Sequence, residues 1–148
     1  MRQHRTSVPR TAFAASTLAI AVLVAGCATS GNMPAGSAKL NGTQEVPPVN
    51  TSATGSAMIA VAPDKTVSGS VSTSGLEGKA AHIHQAAPGM NGGVVIGLVK
   101  NPDGSWSVPA GAKLTDEQYA SYQAGNLYVN VHTAANPGGE IRAQLNSR

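Results

Sequence analysis

Leu127-Tyr128-Val129-Asn130-Val131-His132 and Glu140-Ile141-Arg142-Ala143-Gln144-Leu145, joined by Thr133-Ala134-Ala135-Asn136-Pro137-Gly138-Gly139, decide how this chain folds. Both segments alternate apolar and polar residues, the mark of a strand with one buried face. Pairing Val131 with Ile141, Val129 with Ala143 and Leu127 with Leu145 puts all the apolar side chains on one face. The other face then pairs His132 with Glu140, Asn130 with Arg142 and Tyr128 with Gln144. Side chains repeat every two residues along a strand, so a slip by one residue mixes the two sets. The pattern therefore selects one antiparallel register.

Upstream, Ala81-His82-Ile83-His84-Gln85 reads as another strand. Residues two apart share a face, so His82 and His84 point one way and Ile83 the other. Apart from His4, His132 is the remaining histidine of the chain. Neutral imidazoles on polar sheet faces form either a metal site or a hydrogen-bonded cluster, and both readings stand. If the two strands are neighbours, His82, His84 and His132 face one polar side. Glu140 and Arg142 then read as cross-strand partners holding the last hairpin, or Glu140 sits next to His132 as an acceptor that fixes its tautomer, with Asn130 and Arg142 on the same face. Three nitrogen ligands leave a coordination position open, which suits copper or zinc, with copper favoured by the usual affinity order.

The remaining elements extend the β pattern. Lys39-Leu40-Asn41-Gly42 is a short strand, and the paired prolines of Thr43-Gln44-Glu45-Val46-Pro47-Pro48-Val49 imply an extended segment at an edge. Gly55–Val61 and Val67–Thr73 flank Pro63-Asp64-Lys65-Thr66 as a hairpin. Asn91-Gly92-Gly93 marks a loop, and Val94–Val99, apolar on both faces, reads as a central or sandwiched strand. Trp106 is expected to plug the core. Leu114 to Gly125 is the one credible helix: Thr115 can cap it, Gln118 completes a capping box, and Gly125 stops it. The expected fold is an all-β, Greek-key or immunoglobulin-like β-sandwich with one short connector helix. Charged residues at 11% and aromatics at 3% suit a β domain with light core side chains.

Residues 1–26 read as a lipoprotein signal peptide. Arg2, Arg5 and Arg10 precede an apolar run that is shorter than the ~20 residues of a membrane span and ends at Leu23-Val24-Ala25-Gly26-Cys27. The stretch resembles a bacterial lipobox, in which the cysteine is lipidated. Cys27 is the only cysteine, so no intrachain disulfide or multi-cysteine metal site exists. Ala28 follows it, which favours the outer membrane if the source is Gram-negative. Residues 27–37 form a flexible tether, and the folded domain spans 38–148. Beyond residue 26, seven Lys and Arg face seven Asp and Glu, so that part is neutral. Neutrality gives no electrostatic case for nucleic acid.

Leu40-Asn41-Gly42-Thr43-Gln44-Glu45-Val46-Pro47-Pro48-Val49, Ala81-His82-Ile83-His84, and Leu127 through Arg142 together resemble the CHRD domain. That domain takes its name from the extracellular protein chordin and is also found in bacterial exported proteins. The resemblance covers roughly 38–146 and implies an all-β extracellular module without a defined activity. A weaker similarity is to Cu/Zn superoxide dismutase, whose His-x-His strand supplies copper ligands. This chain departs from it by lacking a bridging histidine with a zinc loop, the cysteine pair and the late arginine motif. The leading expectation is a lipid-anchored binding or envelope module that is not an enzyme, with an unknown protein or metal ligand. The alternative is a periplasmic copper- or zinc-binding protein using the histidines, with a redox role at low weight.

Overall fold

The computed structural model describes residues 36–147, and in it the last hairpin takes the register selected by its sequence pattern. The strand Leu127–His132 pairs with Ile141–Leu145, setting Val131 against Ile141, Val129 against Ala143 and Leu127 against Leu145. All six of those side chains are buried. Glu140 lies just outside the ladder, although its N–H still donates to the Val131 carbonyl at 2.8 Å.

In chain order the strands are β1 (Ser37–Asn41), β2 (Thr54–Val61), β3 (Val67–Ser74), β4 (Ala80–Gln85), β5 (Gly93–Gly97), β6 (Val99–Lys100), β7 (Trp106–Ser107), β8 (Leu127–His132) and β9 (Ile141–Leu145). They form one nine-stranded antiparallel sheet in the order β5-β4-β8-β9-β1-β2-β3-β7-β6. The strands β5 and β6 lie at opposite ends of this order, yet only Leu98 separates them in the chain. One residue spans at most ~3.6 Å, so the sheet must curl until its two edges meet. Leu98 marks the crossing, donating its N–H to the Ala81 carbonyl at 2.9 Å. The result is the expected all-β, sandwich-like fold, built from a single curled sheet.

The inside of the curl holds Leu40, Ile59, Val71, Ile83, Val129 and Ile141, all almost inaccessible to solvent. Trp106 is buried with them, as expected for a core plug. The helix α1 (Asp116–Gln123) carries the full capping box between Thr115 and Gln118 and buries Tyr122 against the core.

Two segments differ from expectation. Val94–Val99 is no central strand: β5 is a sheet edge, Val94 is 58% exposed, and Ile96 alone of the run is buried. Its apolar run serves a strand that is handed from one edge to the other. Thr43–Val49 is not extended throughout, because Gly42–Gln44 forms a 3-10 turn. Asn41 drives it: its side-chain oxygen accepts from the Gln44 N–H at 3.2 Å and from the Thr43 hydroxyl at 2.7 Å. That local bond competes with strand formation.

Ile141 is fully buried between the paired strands. Ile141→Ala is expected to lower stability by about 2–5 kcal/mol through lost burial and a residual cavity. Val94→Ala at the exposed edge should change it by no more than about 0.5 kcal/mol. Urea denaturation of both variants checks the contrast.

Candidate metal centre

The strand β4 lies between β5 and β8, with His82 opposite Asn130, His84 opposite Tyr128 and Ala80 opposite His132. Because β8 is central, its polar face meets the polar face of β4 on one side and of β9 on the other. His82, His84 and His132 therefore converge, as the sequence pattern anticipates. Their ligand atoms lie within 4.8 Å of one another. His84 is buried, while His82 and His132 are half-buried and open the cluster to the surface.

Backbone carbonyls fix how each ring presents itself. The Nδ1 of His84 is 3.0 Å from the Gly92 carbonyl, and the Nδ1 of His132 is 2.9 Å from the Pro137 carbonyl. A carbonyl only accepts, so both Nδ1 atoms carry the proton and both Nε2 atoms carry a lone pair. The Nδ1 of His82 lies 2.9 Å from the Nε2 of His132 and must donate to it in the neutral cluster. The Nε2 of His84 is buried with no hydrogen-bond partner. Two nitrogens bound ~2.1 Å from one tetrahedral ion are about 3.4 Å apart, so the widest pair, within 4.8 Å here, would close by a little over ~1 Å on binding.

The loops that supply these carbonyls are pinned against the sheet. Asn91 donates to the Val46 carbonyl at 2.7 Å, and Gln144 holds the Ala86 carbonyl at 2.9 Å. Gly92 cannot be replaced: a Cβ there would lie 1.8 Å from the Gln85 carbonyl oxygen. On the other side, Gly139 has φ +131°, and a Cβ on it would meet Glu45 Oε1 at 2.4 Å and Asn130 Nδ2 at 2.6 Å. Glycine thus lets the 133–139 loop close over the buried end of the site.

Tyr128 stacks on His84, with ring centres 4.8 Å apart and planes 5° from parallel. The Arg142 guanidinium lies 3.4 Å from the Tyr128 ring centre and is 1% exposed. It reaches Asn91 and Gln144 through long hydrogen bonds of 3.4 and 3.3 Å. Arg142 supports the site through Tyr128 and does not touch a histidine. Glu140 does not take the place beside His132 expected for it. Its carboxylate accepts from the Thr133 hydroxyl at 2.6 Å and the Thr51 hydroxyl at 2.8 Å, and the Thr133 bond above all holds its pKa low. The Pro137 carbonyl does the orienting instead.

Burial pushes the pKa values of His82 and His84 down, and repulsion from the neighbouring imidazoles adds to it. At His84 the Gly92 carbonyl and the Asn130 side chain oppose the shift, while Arg142 reinforces it. Both rings are thus biased to the neutral form that ligates metal. Glu45, which the sequence suggests only as a structural closure, is 5% exposed. Burial lifts its pKa to about 7, against the lowering effects of Arg142, Asn130 and the Val46 N–H. The buried side-chain atoms left without a partner among the described residues include Glu45 Oε1, Asn130 Oδ1 and His84 Nε2. All three can accept a hydrogen bond and none has a donor within reach.

Fold and site together define an all-β module with a histidine-lined polar face. The CHRD domain family matches residues 36–145, and the chain belongs to that family. No curated protein and no solved structure matches the chain. Cys27, the expected signal peptide and residues 27–35 of the expected tether lie outside the described residues. Gly36 accepts from the Ile59 N–H at 2.8 Å and Ser37 already belongs to β1, so the folded part starts before residue 38.

The raised pKa of Glu45 has a consequence for stability. Between about 4.5 and about 7 the folded state holds a proton that the unfolded state has lost, so the contribution of Glu45 to stability falls as pH rises through that window. The lowered pKa values of His82 and His84 act oppositely, favouring the folded state as pH rises toward 6.5. Comparison with Glu45→Gln isolates the carboxyl. Relative to that variant, the wild type should lose up to about 3 kcal/mol across the window. Denaturation midpoints of the metal-free proteins at pH 4.5, 6 and 8 measure it.

Proposed function

We propose that this protein is a lipid-anchored, extracytoplasmic module that binds copper or zinc at His82, His84 and His132, as a binding protein rather than an enzyme. The observation that carries the reading is the convergence of three imidazoles in which the buried Nε2 of His84 has no partner. A buried acceptor left unpaired costs about 1–3 kcal/mol, and a metal ion offers the electron-pair acceptor that the site lacks. The donor set fits. Nitrogen ligands with an open position suit Cu(II) or Zn(II), and the carbonyls behind His84 and His132 fix their tautomers, as metal-bound histidines require. The ion would be held by the Nε2 atoms of His84 and His132 together with a nitrogen of His82. The proposed lipid anchor rests on the lipobox-like stretch ending at Cys27, and a CHRD domain fits a location outside the cytoplasm.

Calorimetric titration of the metal-free protein with Cu(II) and Zn(II) should give one ion per chain, with Cu(II) the tighter. Binding should vanish in both His84→Ala and His132→Ala. Binding no tighter than that of a solvent-exposed histidine, or indifferent to both substitutions, would end the reading. Separately, Cys27→Ser should move the protein from the membrane fraction to the soluble extracytoplasmic fraction. Equal membrane association of the two forms would remove the anchor.

A further inference from the structure

We infer that Glu45, set behind the histidines through Asn130, is the counter-charge of the site and makes it selective for a divalent over a monovalent cation. This rests on the metal-binding reading above. The problem it solves is Arg142. That guanidinium is 1% exposed, and no carboxylate forms an ion pair with it among the described residues. It works against positive charge at His84. A divalent ion in such a place needs compensation from within the protein, since charge repulsion and desolvation both oppose it.

Glu45 is the acid placed to supply it. It follows the 3-10 turn of Gly42–Gln44, its side chain is almost wholly buried, and its Oε1 is unpartnered. The groups acting on it are Arg142 from β9, Asn130 from β8 and the adjacent Val46 N–H. The 135–139 loop that faces it across a cleft of about 270 Å³ brings no charged side chain. Asn130 links the two layers: it pairs with His82 across β4 and β8, and Gly139 packs against both its Nδ2 and Glu45 Oε1, which a Cβ there would meet at 2.6 and 2.4 Å. Glu45 also lines a second cleft of about 450 Å³, so a proton leaving it has a route to water. The step is balanced: a divalent ion binds the imidazole nitrogens, the Glu45 carboxyl loses its proton to solvent, and the carboxylate remains as the counter-charge.

The Coulomb energy between a fixed charge and an ion scales with the charge of the ion. Removing the carboxylate therefore costs a divalent ion twice the free energy that it costs a monovalent one. Zn(II) and Ag(I), both redox-inert here, are the probes, titrated into the full-length wild type and Glu45→Gln. Zn(II) binding should weaken about tenfold and Ag(I) binding about threefold in the variant. Equal losses for the two ions would show that Glu45 only positions Asn130, and unchanged Zn(II) affinity would remove any role; either overturns the inference while leaving the metal site intact. Failure of the wild type to bind Zn(II) at all would instead overturn the underlying reading.

A second measurement needs no variant. At pH 6 the infrared band of one protonated carboxyl should disappear when Zn(II) is added to wild type. A band that persists at saturating Zn(II) overturns the inference.

Discussion

The antiparallel register of β8 and β9 is the constraint on which the rest of the structure depends. It fixes which side of each strand faces the inside of the curl, and so assigns Val129, Val131, Ile141 and Ala143 to the core. The same register assigns Tyr128, Asn130, His132, Arg142 and Gln144 to the opposite face. Since β4 pairs directly with β8, His82 and His84 join that face without further instruction. A one-residue slip of β4 against β8 would send His82 and His84 into the hydrocarbon interior and Ile83 out, and a slip of β9 would do the same to Arg142 and Ile141. The hydrophobic effect thus places a polar site that it does not itself stabilise.

A polar face that is merely solvated would offer no special chemistry. Here the loops after β4 and β8 cover it, so that Asn130 and Arg142 are as buried as the core residues behind them. Covering a polar face requires partners for every donor and acceptor. The loops meet most of that demand with backbone carbonyls, which bind the Nδ1 atoms of His84 and His132. Carbonyls cannot donate, so the acceptors on the same face stay short of protons. The shortage concentrates at Glu45, Asn130 and His84.

Much of this was legible in the sequence, for a physical reason. Strict alternation in Leu127–His132 and Ile141–Leu145 encodes faces and register together, and His-x-His on a strand encodes a shared direction. The capping residues Thr115 and Gln118 likewise specify their helix start locally. What alternation cannot encode is a strand's place in the sheet. Val94–Val99 carries the apolar content of a central strand, but its position at the edge follows from the chain's crossing at Leu98, a property of the whole curl. Nor does sequence show which backbone carbonyl meets an imidazole. Gly92 and Pro137 read only as loop residues, and Glu140 was the nearer candidate by pairing. Its carboxylate is drawn away by Thr51 and Thr133, one remote in sequence and one in the loop. Glu45 was hidden for the same reason: its burial against Asn130 depends on Gly139, 94 positions further on by residue number.

The groups behind the imidazoles also distinguish this site from one in which carboxylates do the orienting. A carboxylate bonded to Nδ1–H pushes electron density into the ring and raises its basicity as a ligand. A neutral carbonyl fixes the tautomer but contributes no net negative charge. Burial, not the carbonyl, keeps His84 from protonation, since the Gly92 carbonyl opposes that shift. Orientation and charge compensation, which a single carboxylate could combine, are then separate tasks on separate elements. In the proposed site the loops orient, and the negative charge is left to Glu45 once it has lost its proton. Separating them lets the imidazoles remain neutral and available while the charge that would otherwise attract a proton to them is kept at a distance.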